Sequence, residues 1–465
     1  MAAGEVVLVS EPLACVSCAF GAIPAPEELA QAIRDTPYTP AQRAALLVLY
    51  SGQDEDGDEQ AGGGATDGTT DGTADVRRVT EDELDEWRLF GIVGCNSFGE
   101  EFNDFASTAA RAAAAGGASP GPAHAAHAAP TTDDSPSSSS GGSGGSDQRQ
   151  PQQPQRQQAG HLGLWPSFSM LNHSDLPNAV NYVVADRMLV LASRSIPRGS
   201  EVMINYLGRG SLRPVEERQA ALAEGYQFSC DCARCTAELL CGCAGTDGGG
   251  GGSGSGAGSF AEGVQALLGR CEERAQVLSG LNLPPTAADP AAESGNTGEA
   301  SARASSNLEV LERLFVQARD DVRVLDELVG RQPLDAAAAA AAGANGGTGG
   351  GTAVRQWLRA SGFDLLSQHV ALAEALGRWE DAGAALEQQL GVCEAVAPSS
   401  DLHMYLQVKR LSLSQQAEGP DGATARVELQ RCAGVLRGRY GQDCTDETVG
   451  RLLQGAVYGL SQVMV

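Results

Sequence analysis

Residues 163–235 hold three short runs in a set order: GLWPSFSMLNHSDLPN at 163–178, PRGSEVMINY at 197–206 and YQFSCDCARC at 226–235. The last run is the least ambiguous. Cys230, Cys232 and Cys235 place three thiols within six residues, close enough to wrap one tetrahedral Zn²⁺ at about 2.3 Å per bond. The fourth ligand must come from elsewhere, or from Cys241 or Cys243. In the first run, Asn172 and His173 precede a strand at a turn stiffened by Pro177. An asparagine amide and a backbone so placed can offer paired donors and acceptors to a purine edge, although taken alone the residues read better as an Asx turn that caps the strand. Tyr206 ends a strand and enters the glycine-rich LGRG, where a phenol can face a cleft. Tyr226 and Phe228 feed straight into the thiols.

Working outward, NYVVA, MLVLAS and EVMINY read as three short strands of one antiparallel unit, followed by a charged helix, PVEERQAALAEGY. The N-terminal GEVVLVSEPLACVSC has strand character at Val6, Val7, Leu8 and Val9. Residues 26–50 read as one or two helices, and ELDEWRLFGIVGCNSF reads as a helix from Glu81 that breaks at Gly99. Beyond residue 260, AEGVQALLGRCEERAQVLSGL, LEVLERLFVQARDDVRVLDELV and FDLLSQHVALAEALGRWEDAGAALEQQL carry apolar residues at helical spacing. ALAEALGRWEDAGAALEQQL suggests a helical hairpin of tetratricopeptide type with a glycine turn, without a clean 34-residue repeat. Low-complexity stretches at 51–76, 107–160, 244–258 and 336–353 are expected to be disordered loops, linkers and insertions.

Composition narrows the function classes. The chain has 465 residues and net charge -27, with 59 glycines and 5% aromatics. Roughly 300 residues outside the glycine-rich blocks suffice for one mixed and one helical domain. No basic stripe is present, so direct nucleic-acid binding is not expected, and a basic protein partner is. The acidic run at 54–59 reads as a solvated loop. Without a basic n-region or a long apolar stretch the N-terminal residues are not expected to be a signal peptide, and no run of about 18 apolar residues stands in this sequence. Twelve cysteines point to reduced thiols or metal rather than a disulfide framework. Cys15 and Cys18 read as structural, His124 and His127 as solvated, and His369 and His403 as packing or surface residues.

Taken together, N-H-S-x-x-P-N, P-x-G-x-E-V-x-I-x-Y and Y-x-F-x-C-x-C-x-x-C resemble the C-terminal half of a SET domain with its post-SET zinc motif. The chain resembles the SMYD-like (SET and MYND) branch of SET-domain protein-lysine methyltransferases. GEVVLVSEPLA at 4–14 resembles the early SET strand, and GCNSF at 94–98 the segment before the core. The helical tail, with Tyr440-Gly441 after a helix, resembles the family's C-terminal domain. The resemblance implies an α+β fold: a SET domain of short antiparallel sheets with a pseudo-knot, then an all-α, tetratricopeptide-like domain. The implied organisation is an N-terminal SET portion (1–106), an insertion (107–160), the SET core (161–228), the zinc motif (229–243), a linker (244–259) and the helical domain (260–465).

The resemblance also implies S-adenosylmethionine and Zn²⁺ as cofactors. Asn172 and His173 would contact the amino and adenine ends of the former, Asn96 its methionyl or ribose part, and Phe228 would stack on adenine. Tyr206 would stand where a lysine channel meets the methyl group, and Tyr226 would line that channel. Cys230, Cys232 and Cys235 would hold zinc, with Asp175 in place of the cysteine that follows N-H-S in the family. The implied substrate is a protein with an accessible lysine, the chain a monomer, and its compartment the nucleus or cytoplasm. Three departures stand out. The family's Gly-rich loop before the first strand is not found, since the chain opens at Met1-Ala2-Ala3-Gly4-Glu5, and a start further upstream is expected. No MYND finger is found, and position 175 has lost its cysteine. A degenerate SET scaffold that docks a partner is the alternative function.

Overall fold

The computed structural model describes residues 1–18, 22–52, 77–100, 160–184, 186–243, 259–281, 297–345, 350–419, 422–441 and 453. Of the low-complexity stretches expected at 51–76, 107–160 and 244–258, residues 53–76, 107–159 and 244–258 lie outside the described residues, as do the acidic run at 54–59, His124, His127 and Cys444.

Three small sheets carry the N-terminal half. Strands β1 (Val6–Ser10) and β2 (Ala14–Ser17) come first, then helices α1 (Pro26–Asp35), α2 (Pro40–Leu47) and α3 (Glu86–Asn96). Strands β3 (Ser97–Glu100) and β4 (His161–Leu164), the short helix α4 (Pro166–Ser169), and strands β5 (Asn172–His173), β6 (Ala179–Val184), β7 (Arg187–Ala192) and β8 (Met203–Ile204) follow. The sheet orders are β1-β7-β6 and β2-β4-β3, both antiparallel, and a parallel pair β5-β8.

Local chemistry sets these boundaries. Pro26 opens α1 at a position whose N–H would be unpaired anyway. Thr39 and Gln42 form a reciprocal capping box on α2. The helix expected from Glu81 begins instead at Glu86, because the Asp85 side chain accepts from the Arg88 amide at 2.8 Å and acts as the N-cap. Its expected break at Gly99 is a strand, since Phe98 and Gly99 pair with Gly163 and Leu162 of β4. Gly163 is required for space: a Cβ there would stand 2.5 Å from the ring of Trp165. That tryptophan is fully buried and donates Nε1–H to the Asp186 carbonyl.

The third strand of the expected antiparallel unit is a correction. Within EVMINY only Met203 and Ile204 are extended, and they pair in parallel with Asn172 and His173. The Asn178 amide donates to the Glu201 carbonyl and accepts from the Met203 amide, and Ser174 N–H donates to the Ile204 carbonyl. These bonds draw the segment to the Asn172–His173 strand rather than to the edge of β7.

Helices α5 (Val215–Tyr226) and α6 (Ala233–Cys243) lead to the helical half: α7 (Phe260–Ser279), α8 (Thr297–Gly330), α9 (Leu334–Asn345), α10 (Gly351–Ala360), α11 (Phe363–Ala375), α12 (Trp379–Val396), α13 (Asp401–Glu418) and α14 (Ala423–Tyr440). Residues 334–345 correct the expected insertion at 336–353: an alanine run has the strongest helix propensity of any residue type, and Ala337 and Ala338 are buried. The hairpin of α11 and α12 turns at Gly377, whose φ is +65°, a conformation glycine adopts without steric cost. Tyr440 ends α14 and Gly441 follows it with φ +99°.

One apolar core runs through α7–α12 and includes Ala233, Ala237 and Cys241 of α6. A second lies under α1–α3 and β4. A third gathers Trp165, Phe168, Val190 and Ile204. No helix among the described residues is long and apolar enough to cross a membrane. The two halves meet at β6 and β7: Arg194 donates to the Ala395 carbonyl, and Arg439 of α14 lies 4.7 Å from the Tyr182 ring centroid. Arg439 also pairs with Asp401 at 2.6 Å and donates to the Ser399 carbonyl.

His403 sits beside that contact, accepting the Ser399 amide on Nδ1 at 3.1 Å. Burial holds its imidazole down at about 4 against an ordinary 6.5. The unfolded chain therefore takes up a proton between these values that the folded chain refuses, and stability falls as pH falls across that window. His403→Gln, which keeps an acceptor for the Ser399 amide, is expected to flatten the slope of unfolding free energy between these values by about 1.4 kcal/mol per pH unit, read by urea titration at several pH values.

Candidate functional site

Four rings close on one another where β5, β8 and α5 end. His173 and Tyr206 have ring centroids 5.2 Å apart, Tyr206 and Tyr226 5.0 Å, and His173 and Phe228 5.8 Å. The parallel pairing of His173 with Ile204 brings the histidine beside the segment that leads into Tyr206. Tyr226 closes α5, and Gln227 adopts the left-handed conformation at φ 61°, which reverses the chain and brings Phe228 back over the cluster. Phe228 remains 36% exposed, so its ring has a free face.

Hydrogen bonds hold Tyr206, Asn172 and Asn96. The Tyr206 hydroxyl donates to the Leu171 carbonyl, and its own amide donates to His173 Nδ1 at 3.0 Å. Burial, with Tyr226 and Glu201 nearby, pushes the Tyr206 phenol up to about 12, so it stays protonated at neutral pH. Burial also pushes the Tyr226 phenol up. Asn172 is exposed and donates to Glu201 Oε1 at 2.6 Å. Asn96 is buried and spends its amide hydrogens on the carbonyls of Tyr50, at 2.6 Å, and Ile92, at 2.9 Å. Tyr50 in turn donates its hydroxyl to Gln227 Oε1, and Gln227 donates to the Gly52 carbonyl. Asn96 is thus joined to the ring cluster through Tyr50 and Gln227.

Next to the rings lie the thiols. The sulfurs of Cys230, Cys232 and Cys235 lie within 4.8 Å of one another, all buried. Hydrogen bonds from Cys230 and Cys235 hold the Cys232 thiol below its ordinary value. Asp175 is fully buried beside them, with Oδ2 3.0 Å from Cys235 Sγ and Oδ1 3.4 Å from His173 Nε2. Ligand atoms of His173, Asp175 and Cys230 also fall within 4.8 Å of one another. Cys241 is not part of either group: α6 carries it into the helical core. Cys15 packs with the Trp165 core, where burial and Asp186 push its thiol up to about 11, and Cys18 donates to the Ala22 carbonyl. Among the described residues these groups are the places where three metal-binding side chains converge, and three thiols at these separations suit one zinc ion.

Sequence reasoning missed what lies underneath. Arg218 pairs with Asp175, its Nε lying 3.0 Å from Oδ2, pairs with Glu238, donates to the Arg213 carbonyl at 2.6 Å and places Nη2 3.5 Å from Cys235 Sγ. Arg234 pairs with the other oxygen of Glu238 at 2.8 Å and donates to the Ser211 carbonyl. All four side chains are at most 2% exposed. Burial alone would raise the Asp175 carboxyl. His173, Arg218, Arg234 and Cys235 outweigh it and hold the carboxyl below the usual range. A signal was present in the sequence: Val215, Arg218 and Leu222 share one helical face, so the arginine stands where a core residue belongs.

Residues 80–207 match the SET domain family. The chain is 42% identical over 77 residues to the histone-lysine N-methyltransferase SMYD3 of Mus musculus, a match covering 17% of this chain and 18% of that protein. It is 37% identical over 81 residues to the potential protein lysine methyltransferase SET6 of Saccharomyces cerevisiae, covering 17% and 21%. To the N-lysine methyltransferase SMYD2 of Homo sapiens it is 32% identical over 83 residues, covering 17% and 19%. The matched region thus spans about a fifth of the length of these relatives. The chain carries a SET domain of SMYD-like sequence.

Removing Arg218 leaves two buried carboxylates short of a partner. Arg218→Met is expected to lower the unfolding free energy by about 3–5 kcal/mol, measured by urea denaturation. Arg213→Met, at an exposed position, is the control and should shift it by less than about 0.5 kcal/mol.

Proposed function

We propose that the protein is a protein-lysine N-methyltransferase that uses S-adenosylmethionine, with Tyr206 at the point of transfer. The observation that carries this reading is the ring cluster of His173, Tyr206, Tyr226 and Phe228, set on the parallel pair β5-β8 inside the SET-matching segment and its continuation.

The residues suit the cofactor. The free face of Phe228 is a flat apolar surface of the kind an adenine stacks on. Asn172, exposed and paired with Glu201, would bind the polar end, and the backbone at His173 would meet the adenine edge. Asn96 holds the Tyr50 carbonyl and, through Tyr50 and Gln227, the segment that carries Phe228. When bound, S-adenosylmethionine supplies a methyl group on a positively charged sulfur. Tyr206, its proton committed to the Leu171 carbonyl, keeps oxygen lone pairs that would accept from an incoming amine. Tyr206 and Tyr226 exclude water around that amine. A lysine titrates near 10.4 in water, and desolvation among aromatic rings lowers that value and favours the neutral nucleophile. No general base is needed beyond loss of that proton to solvent, and placement contributes most of the rate.

Zn²⁺ would be held by Cys230, Cys232, Cys235 and Asp175, in a structural role next to the rings. The chain's negative charge favours basic protein segments as substrates. The free cysteines among the described residues agree with a nuclear or cytosolic, reducing compartment.

Titration of the full chain with S-adenosylmethionine, followed by radiolabelled methyl transfer to core histones and to lysine-rich peptides, tests the reading. Saturable binding with transfer to lysine is expected, and a folded, zinc-loaded chain that binds no cofactor would overturn it. Tyr206→Phe is expected to lose about 1–3 kcal/mol of barrier lowering, roughly five- to hundredfold in turnover, with cofactor affinity retained. Cys232→Ser should weaken zinc retention by more than about 100-fold against a chelator.

A further inference from the structure

The carboxylate at position 175 has two oxygens with different neighbours, where a cysteine would have one sulfur. Oδ2 faces Cys235 Sγ and Arg218 Nε, both at 3.0 Å. Oδ1 faces His173 Nε2 at 3.4 Å, and neither of these atoms has a hydrogen-bond partner among the described residues. Both side chains are fully buried. The protonation of His173 follows from its other nitrogen: Nδ1 accepts the Tyr206 amide, so in the neutral ring the proton is on Nε2. A protonated Nε2 has no lone pair for a metal ion. Of the two side chains next to the thiols, His173 is therefore the donor and Asp175 the ligand.

We infer that Asp175 binds the metal through Oδ2 and orients His173 through Oδ1, making His173 a positioning residue that links the metal centre to Tyr206. The link runs from the thiol cluster to the Asp175 carboxylate, to the His173 imidazole, to the Tyr206 amide. Carboxylate partners fix the tautomer and ring orientation of histidines at metal centres. Here the order is reversed, with the carboxylate on the metal and the histidine outside it. Arg218, held by Glu238 and the Arg213 carbonyl, faces that same oxygen, Oδ2, and so holds the carboxylate in this orientation. The consequence is that metal loading sets the backbone at Tyr206, whose hydroxyl is proposed to act in the transfer step.

This inference rests on the zinc reading above, and Asp175→Cys in the full chain separates the two. Both proteins are loaded with cobalt(II) in place of zinc for absorption, and with zinc for nitrogen-15 histidine spectra, His173 being assigned by His173→Gln. A fourth thiolate is expected to raise sulfur-to-cobalt charge-transfer absorption by about one third. The native protein is expected to show a slowly exchanging His173 Nε2 proton that the cysteine variant loses despite its full metal content. Equal absorption in the two proteins would overturn the assignment of Asp175 as ligand. An unchanged Nε2 proton in the variant would overturn the link to His173. A native chain that takes up no cobalt fails the zinc reading itself. Should the variant not fold, the native chain stripped of zinc by chelation and then reloaded decides: the Nε2 proton must weaken and return.

Discussion

The buried array of Asp175, Arg218, Glu238 and Arg234 is the constraint on which the rest of the molecule depends. Taking four charges out of water is costly, and only close alternation of sign with full hydrogen bonding recovers that cost. Here the signs alternate along the array and three guanidinium hydrogen bonds go to the Arg213, Ser211 and Asp175 carbonyls, while Arg218 Nε and Arg234 Nη2 have no hydrogen-bond partner among the described residues, so the cost is recovered only in part. Such an array stabilises little compared with an apolar core of equal volume. It is, however, intolerant of misplacement, because a shift of any member strands a charge. The loop at Asp175, the turn at 208–213, α5 and α6 are fixed relative to one another for that reason.

That fixation reaches in two directions. Towards the sheets, Asp175 leads to His173, and His173 to the amide of Tyr206, so the ring cluster inherits its geometry from the charge array. Towards the helices, α6 carries Arg234 and Glu238 beside Ala233, Ala237 and Cys241, which join the apolar core of the helical half. One helix thus belongs to both halves. The contacts of Arg194 with Ala395, and of Arg439 with Tyr182 and Asp401, close the same junction from the side of β6 and β7. The helical half is therefore part of what holds the site, in addition to any surface it offers a substrate.

How much was legible in the sequence varies with the range of the interaction. The strands at β1, β6 and β7, the glycine turn at Gly377 and the helices beyond residue 260 follow from period and turn chemistry, which act over a few residues. The start of α3 was missed by a few residues because Asp85 competes as cap with the earlier acidic residues, and only its bond to the Arg88 amide decides. The alanine-rich segment at 336–342 reads as part of a loop from its glycine-bearing neighbourhood, while packing of Ala337 and Ala338 favours a helix. The candidate site was legible as a list of residue types, Asn172, His173, Tyr206, Tyr226, Phe228 and the three cysteines. Asn96 was on that list, but its amide hydrogens turn to Tyr50 and Ile92.

By itself, then, the sequence determined the elements and the chemical inventory: short strands, amphipathic helices, a thiol triad at metal spacing, and rings at strand and helix ends. These depend on spacing along the chain, which a sequence displays directly. Tertiary structure alone decided that Met203 and Ile204 pair in parallel with Asn172 and His173, and that Cys241 turns into the helical core while Asp175 turns to the thiols. It also decided which nitrogen of His173 keeps its proton, through a contact between residues 33 positions apart. Those outcomes depend on which buried charges and orphan amides meet, and only the packing of distant segments brings them together.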